Sequence, residues 1–539
     1  MASVKQSSKK FPIVVSLLLF GLGVLAYLPA LNNQYTFDDK PHLLDNTHVQ
    51  STDNLSDFFL YPTWPGNLYR PLFSISLAVT HGLVGLEPFL YHLTNVIFHC
   101  LATIVLYFLL RQLFKESLPS YAALLFLLHP IHTETVANIS YRTELMMFLF
   151  GCYAALALCQ QGFKKNTGIK NTILLSTAAI SLFFSLLSKE SGFSFFLLIP
   201  LCFFHRFGLV PGLKRMLPAS CVMLVVSLTY LFLRHNALGD FLVPARHSAF
   251  DNPLLLVGTL QRAVNGFLLL GKYLSLSIFP WKLSADYSYA KFTAVENVFS
   301  YPSLSNLIVI ICCLLGTVFL LLKKNPLAFW GLWFLFSFAI TSNIFVPIGT
   351  VFADRLCYLG SAGICGLLAS GLLAVKSSKP RFILILLISS FYVSRLIYHL
   401  PFWHDNYTLF RREVMISPMS SKVHSNYAYE LLSRGQLDEA RYHYAVALKI
   451  FPRNTRAMNG IAFVYLEKKL SSGAIHWLQK SLAINPEYIP ALNLLGKVYL
   501  YQQELDDAQS LFSKVLSLDS RNTDAAEGLQ EIADRKLTP

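Results

Sequence analysis

From residue 11 to about residue 400, apolar residues run in long, nearly uncharged blocks. They neither alternate as in a half-buried strand nor form a narrow helical stripe. Blocks of this length predict membrane-crossing helices, because about 20 apolar residues are needed to traverse a hydrocarbon layer about 30 Å thick. The clearest lie at 11–31, 91–113, 138–160, 171–187, 192–206, 216–234, 303–322, 326–345, 353–375 and 380–400, with a shorter one near 120–129. The expectation is therefore about eleven spans. Two weaker segments are read as non-crossing. Residues 71–86 are short, hold His81 and follow Arg70, which suits an interfacial amphipathic helix. Residues 254–280 are interrupted by Arg262 and Lys272, which suits a re-entrant or interfacial segment.

Past residue 400 the pattern changes to a repeat. Ala428, Ala462 and Gly496 recur at 34-residue intervals, as do Ala440, Ala474 and Ala508. Tyr444, Leu478 and Phe512 keep the same interval, and Pro452 and Pro486 close the first two units. This is the period of the tetratricopeptide repeat, where small residues let paired helices approach and a proline ends the second helix. The fold class expected is all-α: a polytopic helix bundle at 1–402, a linker at 403–420, three repeats at 421–522, and a capping helix with its tail at 523–539.

Composition agrees with that division. Of 539 residues, 54% are hydrophobic and 14% charged, more apolar surface than a water-soluble fold hides. The formal charge is +14. The cations cluster at Arg111/Lys115, Lys164/Lys165/Lys170, Arg206/Lys214/Arg215, Lys323/Lys324 and Lys376/Lys379/Arg381, between the apolar blocks. They mark cytoplasmic loops, and no basic stripe interleaved with aromatics points to nucleic acid. Lys5, Lys9 and Lys10 precede the first block, which predicts an uncleaved signal anchor with a cytoplasmic N-terminus. The loops at 32–70, 129–137, 188–191, 235–302 and 346–352, and the repeat tail, then share the periplasmic or lumenal side of a bacterial inner or ER membrane. All nine cysteines lie in apolar runs and read as small packing residues.

The candidate chemistry falls on that side. Asp38 and Asp39 directly follow the first block, and two adjacent carboxylates repel, so one can act as a general base. Asp45, Asp53 and Asp57 read as ordinary solvated acids. His132 and Glu134, in HPIHTE, are close enough to meet one ligand, although their spacing is not a zinc signature. Arg142 and Glu144 open a span, where an ionisable residue needs a partner or a polar cavity; mutual pairing is the simple alternative. Lys189 in SKES suits a phosphate contact, or else pairs with Glu190. Arg355 opens another span beside Asp354. Arg70, Arg246 and Arg262 are further anion-binding candidates. There is no P-loop, no dinucleotide glycine motif and no nucleophile elbow, so an activated donor would come from the lipid phase.

The acidic pair, YRPLFSISLAVTHGLVGLEPFLYHLTNVIFH, HPIHTETVANISYRTEL, LLSKESG, LSADYS and ADRLCYLG, followed by a repeat tail, resemble the transmembrane-and-tetratricopeptide family of GT-C glycosyltransferases. That family is similar in plan to protein O-mannosyltransferases. The resemblance implies inverting transfer of a sugar, mannose first, from polyprenyl- or dolichyl-phosphate to a Ser or Thr hydroxyl of an exported or membrane protein held by the repeats. It implies Asp38 or Asp39 as base, with His132, Glu134, Lys189 and Arg355 at positions that hold the acceptor or the donor phosphate; Arg70, Arg142 and Glu190 join them as substrate-binding candidates on their own chemistry. No cofactor is assigned, and a divalent metal is left open. Two other readings remain: a non-catalytic membrane-anchored repeat scaffold, and a lipid or solute transporter using the intramembrane charges.

Overall fold

The computed structural model describes residues 11–63, 66, 68–115, 117–161, 168–239, 250–288, 301–520 and 522–537. Lys5, Lys9, Lys10, Lys164, Lys165 and Arg246, named above, lie outside them. The described chain is helical throughout its regular structure and divides into two compact units. One comprises residues 1–285 and 294–405, the other 286–293 and 406–539.

In the first unit, eight described helices are long and apolar enough to cross a membrane: Phe11–Asn32, Pro88–Leu113, Ile139–Gln160, Gly168–Ser188, Leu209–Leu238, Leu304–Leu322, Asp354–Ala374 and Ser378–Trp403. The chain is a multi-pass membrane protein. The other three expected spans fall on shorter helices, Leu118–Leu128, Phe195–Phe207 and Ala328–Ser337, of 11, 13 and 10 residues. At about 1.5 Å per residue these reach only about half to two thirds of a bilayer. Proline and glycine set such limits. Leu118–Leu128 starts on Pro119, and Phe195–Phe207 stops at Gly208, whose φ of 77° a side chain rarely adopts. Residues 71–86 form the helix Pro71–Val84, and 254–280 hold the helix Thr259–Ile278.

The outer faces of Phe11–Asn32 and Leu304–Leu322 are largely exposed leucine, isoleucine, valine and phenylalanine, the surface that lipid covers. Buried structure concentrates instead around Arg142–Gln161, which packs against both Pro88–Leu113 and Gly168–Ser188. Residues 125–149 are buried without interruption, although that stretch includes His129, His132, Glu134, Asn138, Arg142 and Glu144. It enters the core as short single turns, Pro130–His132, Thr133–Ala137 and Ile139–Tyr141, not as one continuous helix. A broken backbone frees N–H and C=O groups, and these make the interior polar enough to hold charges.

The second unit contains three helix pairs, Ser421–Ser433 with Leu437–Ile450, Thr455–Glu467 with Ser471–Ile484, and Ile489–Tyr501 with Leu505–Leu518, then Thr523–Leu537. Ala428, Ala440, Ala462, Ala474 and Ala508 are all fully buried, and Gly496 sits where a Cβ would come within 2.8 Å of the Phe512 ring. The N-cap positions Ser420, Asn454, Tyr488 and Asn522 keep the 34-residue interval. Three of them bond the backbone N–H three residues on, at Val423, Ala457 and Ala525. The expected linker is partly helical: Asn406–Ile416 buries Leu409, Phe410, Arg412 and Glu413 and belongs to the repeat unit.

Candidate active site

The acidic pair sits on a tight corner after the first span. Phe37 has φ of 50°, an uncommon value for a bulky residue, and Lys40–Leu44 forms one wide helical turn. The corner sends the two carboxylates to different environments. Asp39 is fully buried: one oxygen accepts the Thr36 N–H at 3.0 Å, the other the Ser140 N–H and hydroxyl, both at 2.8 Å. Burial, only partly offset by these donors, pushes its carboxyl up to about 7. Asp39 thus ties the corner to the Ile139–Tyr141 turn. Asp38 stays half-exposed and accepts the Tyr141 hydroxyl proton at 2.7 Å, while its carbonyl meets His42 Nδ1 at 2.8 Å. Asp45 and Asp53 are exposed and Asp57 is half-exposed.

The basic and acidic candidates pair over long range, and none takes the local partner the sequence offers. Arg70 donates from Nε and Nη2 to both oxygens of Glu190, at 3.0 and 2.5 Å. Arg355 meets Glu134 twice, through Nη1 at 2.6 Å and its backbone N–H at 2.7 Å. Lys189 pairs with Glu144 and is 7% exposed. Burial works against the Glu190 carboxylate, but the Arg70 guanidinium overcomes it and holds the group down to about 2. Asp354, beside Arg355, instead accepts the Ser284 N–H at 2.9 Å.

Arg142 is fully buried and meets only neutral groups in its hydrogen bonds: Asn95 Oδ1, the Ser76 and Tyr91 carbonyls, and the Ser76 and Thr80 hydroxyls. It fastens Pro71–Val84 to Pro88–Leu113. His132 turns away from Glu134. Its Nε2 lies 2.8 Å from Ser361 Oγ, whose own proton goes to the Tyr358 carbonyl, so Nε2–H donates. His132 and Arg142 therefore bond to neutral groups on neighbouring segments and not to Glu134 or Glu144.

The remaining candidates converge. The charges of Asp38, Arg70 and Arg355 all act on His42, whose imidazole burial keeps neutral. Arg70 in turn feels Glu144 of the buried Lys189 pair. Tyr141, which sequence reasoning missed, links the two halves: its hydroxyl reaches Asp38, and the Arg355 guanidinium lies over its ring, 4.2 Å from the centroid. Nothing local marks this tyrosine, because Asp38 is 103 residues away. Among the described residues, no group of three or more His, Cys, Asp or Glu is arranged to hold a metal ion.

A tetratricopeptide repeat family model matches residues 431–498. Over most of its length the chain is similar to proteins of one named activity. Its relatives are protein O-mannosyl-transferases. It is 27% identical to protein O-mannosyl-transferase F38B6.6 of Caenorhabditis elegans, across 84% of this chain and 64% of that protein. It is 23% identical to mouse TMTC3, across 93% and 60%, and 28% identical to human TMTC1, across 84% and 56%. The chain thus spans less than two thirds of the length of these relatives. Among solved structures, it aligns with ArnT from Cupriavidus metallidurans bound to undecaprenyl phosphate, with a TM-score of 0.39 and 12% identity over 89% of this chain and 81% of that one. With the apo oligosaccharyltransferase of Archaeoglobus fulgidus the TM-score is 0.40 and the identity 13%, over 77% and 56%.

Proposed function

We propose that this chain is a membrane glycosyltransferase of GT-C type. It moves a sugar, mannose first, from polyprenyl- or dolichyl-phosphate to a Ser or Thr hydroxyl of an exported or membrane protein, and the repeats hold that acceptor. The names of the relatives support the reaction class. The observation that carries the site is the split of the acidic pair: Asp38 is half-buried, bonded by Tyr141 and within electrostatic reach of Arg355, whereas Asp39 is sealed.

Asp38 then acts as the base. As the acceptor oxygen attacks the anomeric carbon, its proton passes to the Asp38 carboxylate. The bond from that carbon to the phosphate oxygen breaks, and its electron pair leaves on the lipid phosphate. A hydroxyl is a weak nucleophile until its proton is taken in the transition state. The charge growing on the phosphate is balanced by Arg70 and Arg355, which are mostly buried, with side chains 15% and 16% exposed, and keep guanidinium N–H groups beyond those given to Glu190 and Glu134. Lys189, buried and committed to Glu144, braces the site from beneath. An α-solenoid offers an extended concave surface, which suits a polypeptide acceptor.

The test uses the purified full chain in lipid nanodiscs, radiolabelled polyprenyl-phosphate mannose, and a membrane-protein extract as acceptor. Asp38→Asn lowers transfer by about a hundred- to ten-thousand-fold, the usual contribution of a positioned base. Transfer at the wild-type rate by folded Asp38→Asn protein removes Asp38 from this role. No transfer by the wild type leaves the anchored repeat scaffold as the better reading.

A further inference from the structure

We infer that Tyr141 is a positioning residue for the base, setting both the direction and the proton affinity of Asp38; this rests on the transferase reading above. Tyr141 is 5% exposed, and its hydroxyl donates to Asp38 Oδ2 at 2.7 Å. A donor to a carboxylate favours the charged form and fixes its rotamer. The phenol is itself held. Its backbone lies in the Ile139–Tyr141 turn, which Asp39 grips through Ser140, and its ring is covered by the Arg355 guanidinium. Arg355 is fixed in turn by the double contact to Glu134.

One rigid relay therefore runs from Glu134 through Arg355 and Tyr141 to Asp38. It gives the two neighbouring aspartates different work on the same turn. Asp39 holds the backbone of Ser140, and the next residue aims Asp38. It also couples base and cation, because the guanidinium that covers the Tyr141 ring is one of the two proposed to face the leaving phosphate.

The test compares Tyr141→Phe with the wild type in the nanodisc transfer assay across pH, with Asp38→Asn alongside. Losing the donor moves the acid limb of the kcat profile up by about one pH unit, the equivalent of a hydrogen bond to a charged group. It lowers kcat about tenfold with the KM for polyprenyl-phosphate mannose unchanged. A purely structural role would lower the amount of folded enzyme without moving the limb. A fluorinated tyrosine installed at position 141 keeps the shape and strengthens the donor, so it moves the limb the opposite way, and it serves where Tyr141→Phe folds poorly. If Asp38→Asn is inactive but both Tyr141 variants keep the wild-type profile, the role assigned to Tyr141 is wrong while the base stands. If Asp38→Asn is active, the underlying reading is what fails.

Discussion

The three repeats and the membrane unit use ion pairs in opposite ways, the buried Arg412–Glu413 pair lying ahead of the repeats. In the repeats, Lys468–Asp438, Lys497–Asp524 and Lys536–Asp506 lie on the surface, with side chains between 34% and 95% exposed. In the membrane unit, Lys189–Glu144 is 9% and 3% exposed and Arg355–Glu134 16% and 3%. Water screens the first set, so each contributes little. The second set stands where an unpaired charge is far more expensive, and its geometry is correspondingly tight. Repeats could lose their ion pairs and remain repeats. The membrane unit is organised by its own.

That contrast can be broken at its strongest point first. Lys189→Met leaves Glu144 buried and uncompensated, and should lower stability by about 3–5 kcal/mol. The double variant Glu144→Met with Lys189→Met should recover most of that loss, since a buried pair is often replaceable by apolar residues of similar size. Thermal unfolding of the full chain in nanodiscs reads both. If the single variant loses under 1 kcal/mol, the pair is effectively solvated and the contrast collapses. Next, Gly460→Ala drives a methyl into the Tyr444 ring and should cost about 1–3 kcal/mol through overpacking. It should lower the melting temperature of the repeats while leaving the unfolding of the membrane unit unchanged, as read by thermal unfolding of the full chain. Smallest is Lys468→Ala, which removes a pair whose aspartate is 77% exposed and should leave the unfolding midpoint nearly unchanged. A larger loss there would mean the surface pairs act as a network.

What could be read from the sequence follows the same divide. The repeats were legible because their determinants recur every 34 residues along the chain, and small residues at Ala428 and Ala440 do the same work in each copy. Long spans were legible because lipid imposes length and apolarity together. The short helices were not: Phe195–Phe207 and Ala328–Ser337 read as spans because their flanks are apolar too, yet Gly208 and the turns after Ser337 cut them short. The position of the acidic pair was visible, but not the division of labour within it, since that depends on Ser140 reaching Asp39 across 101 residues. Local pairings suggested for Arg142, Lys189 and Arg355 gave way to partners outside any sequence window. Lys189 finds Glu144 45 residues away, and Arg355 finds Glu134 221 away. In a low-dielectric interior a charge takes whichever partner the packing brings to hand, and adjacency in the chain carries little weight.

The caps at Ser420, Asn454 and Asn522 give the solenoid a fixed stride. The first two units and the closing helix open with the same small latch, and all keep one interval, so material added or removed in whole strides of 34 residues keeps the helix starts in phase. A splice of any other size would put a cap against the flank of a helix. The array behaves like a ruler that can be recut only at its graduations, so its length would change in steps.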